Sequence, residues 1–150
     1  MKKCFNILIL ILLSITVSSI FPQQNNLIQK SETKKQSEVD PIVFDEIETA
    51  IKNADVVTIS RYLGPHTYFS LTNGINGYYS ANQAFYVLED FFKIYRVTKF
   101  KFDNIKTSTS NPYGTGTYHF DNRGRRSSAQ VYISLTKTGK NWNISQLTIN

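Results

Sequence analysis

The first structured part of the chain has apolar residues at helical spacing. From Pro41 to about Asn53 they recur every three or four positions, which predicts an amphipathic helix. Asp40 can cap this helix with its carboxylate, and proline fits the first turn. A second, shorter helix is predicted to start at Asp55 and to run through VVTISRYL until a Gly-Pro pair stops it. The pattern therefore predicts a helical hairpin.

A third helix is predicted after a short strand pair. The segment HTYFSLT and a later YY are typical of two strands around a glycine-containing turn. Ser80 and Gln83 then have the spacing of a capping box, in which each side chain accepts a hydrogen bond from the other residue's backbone. The apolar arc of this helix, which should face a sheet, consists of Ala81, Ala84, Phe85, Leu88, Phe91, Phe92 and Tyr95.

After the third helix the apolar residues alternate with polar ones, as they do in strands. Phe100 and Phe102 alternate with charged residues, and three more such segments follow: YGTGTYHFD, SAQVYISLTKT and NWNISQLTI. Short glycine-containing turns join these three as antiparallel hairpins. In the last segment Trp142 and Ile144 are out of phase with the later apolar positions, which predicts a bulge near Ser145.

The N-terminus has the layout of a secretory signal peptide. Lys2 and Lys3 precede an apolar run from Ile7 to Val17, and small residues follow as far as Ser19. We expect a signal peptide over residues 1–19, a flexible linker over residues 20–40 and a single domain over residues 41–150. The protein is thus expected to be exported, periplasmic or secreted, without stable membrane insertion. An uncleaved signal would instead form an N-terminal membrane anchor.

Charge is distributed unevenly along the chain. Residues 41–95 contain three basic and six acidic residues, whereas nine basic residues face two acidic ones from Arg96 onward. The basic half can attract an anionic glycan or another polyanion, or it can simply keep the protein soluble. Nucleic acid is not an expected partner of an exported protein.

Three segments resemble a known family. GYYSANQAFYVLEDFF is similar to the segment G-x-Y-S-x-x-Q-A-x-x-x-L-x-D-F-F of an exported bacterial family called domain of unknown function 4783. YGTGTY and the closing WNISQLTI resemble that family too. The resemblance implies an α+β fold similar to nuclear transport factor 2, a cystatin-like cone. In it, three N-terminal helices pack on a bent, mostly antiparallel sheet. The resemblance implies no catalytic residue.

A cone of this kind can be hollow at its inner end, as the resemblance implies. We expect the wall of that pocket to consist of Tyr62, Tyr68, Phe102 and Tyr118, whose rings and hydroxyls suit a small apolar or aromatic ligand.

The sequence favours a non-catalytic binding or interaction module. Its carboxylates fall at helix caps, on polar helix faces or, like Asp103 and Asp121, at outward strand positions. His66 and His119 have no third residue at metal-ligand spacing, so neither a metal nor another cofactor is predicted. A small lyase or isomerase with a tyrosine-lined pocket is the alternative. An ionisable side chain inside an enclosed cavity would favour the enzyme, and a solid apolar interior would favour the binding module.

The outward face of the predicted sheet mixes aromatic and polar residues. Strand alternation places on it Lys99, Lys101, Tyr113, Thr115, Thr117, Gln130, Tyr132 and Ser134. Tyrosines among threonines are typical of interfaces, and folds similar to this one often pair through the same face. We therefore expect a weak homodimer that tightens as salt screens the lysines.

Overall fold

The structure is a computed structural model that describes residues 38–150. The predicted signal peptide and most of the predicted linker lie outside the described residues. Three helices and six strands are described: α1 (Pro41–Lys52), α2 (Val56–Ser60), β1 (Leu63–Leu71), β2 (Asn76–Tyr79), α3 (Ala81–Ile94), β3 (Arg96–Lys106), β4 (Tyr113–Asn122), β5 (Arg125–Thr138) and β6 (Asn141–Ile149).

Each helix begins at a polar cap that the sequence predicts. The Asp40 carboxylate accepts the backbone N–H of Ile42 at 3.0 Å, and the Asp55 carboxylate accepts that of Thr58 at 3.0 Å. At α3 both halves of the Ser80 capping box are present. These side chains satisfy donors that no helical carbonyl can reach.

The second helix is shorter than its apolar spacing predicts. It ends at Ser60, and Leu63 already belongs to β1. The reason is pairing with the last strand: the Ile144 N–H donates to the Tyr62 carbonyl at 2.7 Å, which draws the chain into extended structure before the Gly-Pro pair. His66 and the Gly-Pro pair before it therefore belong to β1.

The six strands form one sheet in the order β2-β1-β6-β5-β4-β3. All neighbours are antiparallel except β1 and β6, which run parallel. The predicted bulge in β6 is confirmed: Ser134 pairs with Gln146 and Leu135 with Ile144, so that Ser145 is the extra residue. Because of the bulge, Ile144 and the later Leu147 are both buried.

One face of the sheet is covered by helices and holds the core. Phe44 of α1 contacts Phe102 of β3 edge-on, with ring centroids 5.7 Å apart. Phe91 of α3 stacks on Tyr95 at 4.8 Å and contacts Tyr118 of β4 at 6.0 Å. The aromatic arc of the third helix is thus mainly core, as its spacing predicts.

The YGTGTY segment is explained by the close approach of β3 to β4. A Cβ at Gly116 would lie 2.3 Å from the Lys101 carbonyl oxygen, and one at Gly114 would lie 2.8 Å from the Phe102 ring. The pairing of these strands also shifts register between Phe102 and Asn104. Residues without a side chain are therefore needed on the core side of β4 at this point.

Candidate functional site

Two of the four predicted pocket residues are part of the packed core. Tyr118 is fully buried, and its hydroxyl donates to the Tyr95 carbonyl at 2.5 Å. Burial raises the pKa of the Tyr118 hydroxyl well above its usual range. Phe102 is buried between the rings of Phe44 and Phe100. Neither side chain lines an open cavity wall.

The other two predicted residues lie on different sides of the molecule. Tyr62 lies just after α2 and is half-buried, and its hydroxyl donates to the carboxylate of Glu46. Burial, with a smaller contribution from that hydrogen bond, raises the pKa of Tyr62 to about 12. Tyr68 alternates with the buried Thr67 and Phe69 and therefore points away from the core. The structure does not bring the four residues together.

The interior is apolar. Within residues 38–150 the buried polar side chains are Thr67 and Ser134, and every Asp, Glu, His, Lys and Arg side chain there is at least partly exposed. The partly buried carboxylate of Glu48 accepts the Phe102 N–H at 2.7 Å beside the register shift of β3. That carboxylate therefore anchors α1 to the sheet.

Within residues 38–150 no three side chains of His, Cys, Asp or Glu lie close enough together to hold a metal ion. No helix in residues 38–150 is long and apolar enough to cross a bilayer.

Two surface hollows lie on the helix side of the molecule. One, of about 320 Å³, is lined mainly by polar residues of α1 and α2, among them Asp45, Glu46 and Arg61. The other, of about 480 Å³, has a mostly apolar lining that includes Val56 and Phe92. Its charged margin is internally paired, because Lys93 bonds Glu89 at 3.1 Å and Asp90 at 3.3 Å.

The opposite face of the sheet, called the outer face here, carries the predicted amphipathic surface. The eight side chains predicted there lie on this face, and all of them except the buried Ser134 are at least partly exposed. Tyr113 and Tyr132 stack near its centre with ring centroids 5.6 Å apart. Lys99 and Lys101 lie on β3, an edge strand, so they stand at the margin of the surface rather than in its middle.

A second tyrosine pair lies at the other side of the outer face. Tyr68 of β1 and Tyr78 of β2 are direct cross-strand partners with ring centroids 5.2 Å apart. They border a hollow of about 370 Å³, which we call the outer hollow. It is lined by His66, Tyr68, Tyr78, Ser134, Ser145 and Gln146.

Of the four residues predicted for a pocket wall inside the cone, one, Tyr68, lines the outer hollow instead. Strict alternation from the apolar Phe69 and Leu71 would have turned it outward. Alternation also turns Ser134 outward, but it cannot show which strands lie side by side. The residues of the outer hollow come from distant segments. They are joined by the parallel pairing of β1 with β6, which connects residues far apart in the chain.

The helices on one face of a curved sheet define a class of α+β cone folds. One similar structure is a hypothetical protein with a ketosteroid isomerase-like fold from Catenulispora acidiphila, in complex with trimethylamine. It has 8% identity and a TM-score of 0.59, and the match covers 75% of this chain and 86% of that one. At such identity the likeness establishes the fold alone.

Within this class the chain belongs to the DUF4783 family, a domain of unknown function whose model matches residues 44–150. A family protein from Bacteroides uniformis is similar with a TM-score of 0.64 and 17% identity, covering 71% of this chain and 94% of that one. Another from Bacteroides ovatus has a TM-score of 0.62 and 20% identity, covering 69% and 90%. No curated protein matches the sequence. The resemblance in family and fold is confirmed.

Proposed function

We propose that the domain is a non-catalytic binding or interaction module that works through the outer face of its sheet. The observation that carries this proposal is the contrast between the buried inner aromatic residues and a partly exposed, tyrosine-rich outer face. Tyr118 and Phe102 are packed in the core, whereas Tyr113 and Tyr132 lie on the helix-free face. Aromatic side chains with polar tips are enriched at interfaces because they bury a large area at low entropic cost.

The chemistry of the interior supports binding over catalysis. A general acid or base has to lie in a shielded site within reach of the substrate. The partly buried carboxylate of Glu48, which lies against the sheet, already accepts a backbone hydrogen bond from Phe102. The small lyase or isomerase remains the weaker alternative.

The partner that the face fits best is a second copy of the chain. Two such faces can stack their Tyr113 and Tyr132 rings and threonine methyl groups while the lysines of β3 stay at the rim. Rim charges of like sign oppose association, and salt screens them. The homodimer should therefore be weak at low salt and tighter at high salt.

Sedimentation velocity over a range of protein concentrations tests this pairing. The wild type and Tyr86→Ser should dimerise alike, because Tyr86 is 57% exposed on α3, away from the sheet's outer face. Tyr132→Ser should stay monomeric. A wild type that is monomeric at every concentration, in low and high salt, would contradict the homodimer.

A polyanion is the second candidate partner, favoured by the exposed lysines along β3. Lys99, Lys101 and Lys106 are all exposed there, whereas Arg96 is paired with Asp121 at 3.2 Å. Lysines on an edge strand also prevent it from pairing with strands of other molecules. That role would explain the same lysines without any ligand. Binding of heparin that disappears in a Lys99→Ala, Lys101→Ala variant would favour the polyanion.

A further inference from the structure

The outer hollow is built by two irregularities that face each other across β1 and β6. On β6, the bulge adds Ser145 beside Gln146. On β1, the pairing with β6 shifts between Leu63 and Tyr68, so that four residues of β1 stand opposite a single residue of β6. Bulges of this kind re-aim side chains and often occur beside functional sites. Here they bring His66 and Ser145 to the same depression.

The outer hollow is lined by polar side chains, namely two tyrosines, two serines, a glutamine and a histidine. Several are already oriented by hydrogen bonds to one another or to neighbours. The hydroxyls of Ser134 and Ser145 are 2.8 Å apart, and that of Tyr68 donates to the Asn76 side-chain oxygen at 2.6 Å. Gln146 donates to the Thr148 hydroxyl at 3.1 Å.

These bonds leave both donors and acceptors unused among the residues that line the hollow. The Gln146 amide retains its oxygen and a second N–H, and the Tyr68 hydroxyl retains acceptor capacity. The Tyr78 side chain is 73% exposed, so an apolar ring lies open to solvent beside these polar groups. Its edge-to-face contact with Tyr68, at an interplanar angle of 61°, restricts the direction of that ring.

We propose that the outer hollow binds a neutral saccharide of one or two sugar units. A pyranose ring has an apolar C–H face that packs on an aromatic ring, and hydroxyls that both donate and accept hydrogen bonds. Tyr78 supplies the ring, while Gln146 and Tyr68 supply partners for the hydroxyls. The volume of about 370 Å³ lies at the small end of the range for ligand sites, about 300 to 1,000 Å³.

The lining selects against phosphate and carboxylate ligands. Anions are typically held by Arg or Lys forks, and no Arg or Lys lines the outer hollow. The exposed lysines of the same face lie on β3, four strands away from β1 in the sheet. Binding in the outer hollow should therefore be insensitive to salt, unlike polyanion binding at the β3 margin.

Saturation-transfer NMR with maltose, cellobiose, lactose and chitobiose tests the inference on the full chain. At least one of these disaccharides should bind, with the strongest transfer to ring C–H protons and similar affinity at low and high salt. Tyr78→Ala and Gln146→Ala should each weaken that binding by about tenfold. Tyr86→Ala, which removes an exposed tyrosine from α3, should leave it unchanged.

Two further results decide the interpretation. Binding that survives in the monomeric Tyr132→Ser variant would separate the saccharide site from the proposed dimer, as we expect. Circular dichroism should show that Tyr78→Ala remains folded, since the side chain lies on an exposed edge strand. The inference is overturned if none of the four disaccharides binds, or if binding persists unchanged in both Tyr78→Ala and Gln146→Ala.

Discussion

The two faces of the sheet use tyrosine in opposite ways. On the inner face, Tyr118 is fully buried among phenylalanine rings and its hydroxyl bonds a backbone carbonyl. On the outer face, Tyr132 stacks on Tyr113 beside threonines and glutamine and remains partly exposed. The two residues lie on neighbouring strands. Only their positions in the alternation of side chains along each strand decide which face each one occupies. The comparison teaches that the inner aromatic residues stabilise the fold, while the outer ones keep part of their surface exposed to solvent.

The largest effect is expected from removing an inner ring. Phe91→Ala should lower the free energy of unfolding by about 3 to 5 kcal/mol, because it leaves a cavity among Phe92, Tyr95 and Tyr118. Tyr86→Ala on the same helix is the matched control and should change stability little. Urea unfolding measures both, and equal midpoints would show that α3 does not pack through this face.

A methyl group on the inner side of β4 should have the next largest effect. Gly116→Ala places a Cβ against the Lys101 carbonyl, and backbone cannot move aside as a side chain can. We expect a loss of about 1 to 3 kcal/mol in thermal or urea unfolding. Thr115→Ala, on the outer face of the same strand, is the control. Equal stability of the two variants would contradict the close approach of β3.

The buried hydroxyl of Tyr118 should make stability fall in alkali. Its pKa is raised in the folded state, so its contribution is complete below the unfolded value of about 10 and is lost as pH rises above it. Tyr118→Phe should cost about 1 kcal/mol at neutral pH through the lost hydrogen bond. Above pH 10 its stability should decline less steeply than that of the wild type. Urea unfolding at a series of pH values measures both proteins. If their free energies of unfolding fell equally steeply above pH 10, burial of the Tyr118 hydroxyl would be contradicted.

The smallest effect on stability is expected on the outer face. Tyr132→Ser removes one diagonal ring contact with Tyr113 on the neighbouring strand, worth about 0.2 to 1 kcal/mol. The monomer should therefore melt close to the wild type, measured at a concentration where both are monomeric. A loss as large as that of Phe91→Ala would mean that the outer tyrosines stabilise the fold rather than bind partners.

Local patterns predicted the parts of the fold that depend on neighbouring residues. The caps at Asp40, Asp55 and Ser80 were predicted because capping needs only a few residues in sequence. The bulge near Ser145 was predicted because strand phase is visible in one segment. The length of α2 was not predicted, because the chain after Ser60 pairs with β6 although its apolar residues have helical spacing.

The predicted pocket depended on information that local sequence patterns do not contain, namely how side chains from distant segments pack together. Whether the inside of a cone is hollow depends on how the volumes of Phe91, Phe102 and Tyr118 fill it together, which no single segment reveals. The outer hollow likewise depends on the register of β1 against β6. Both features arise only when distant segments pack.

The central claim is that association uses the outer face while the inner face only supports the fold. A ¹H–¹⁵N spectrum recorded at high salt as the protein concentration is raised tests it most directly. We predict concentration-dependent shifts at outer positions of β3, β4 and β5, centred on Tyr113 and Tyr132, with the amides of α3 unchanged. Shifts centred on the helices, or none on the sheet at any concentration, would contradict the claim.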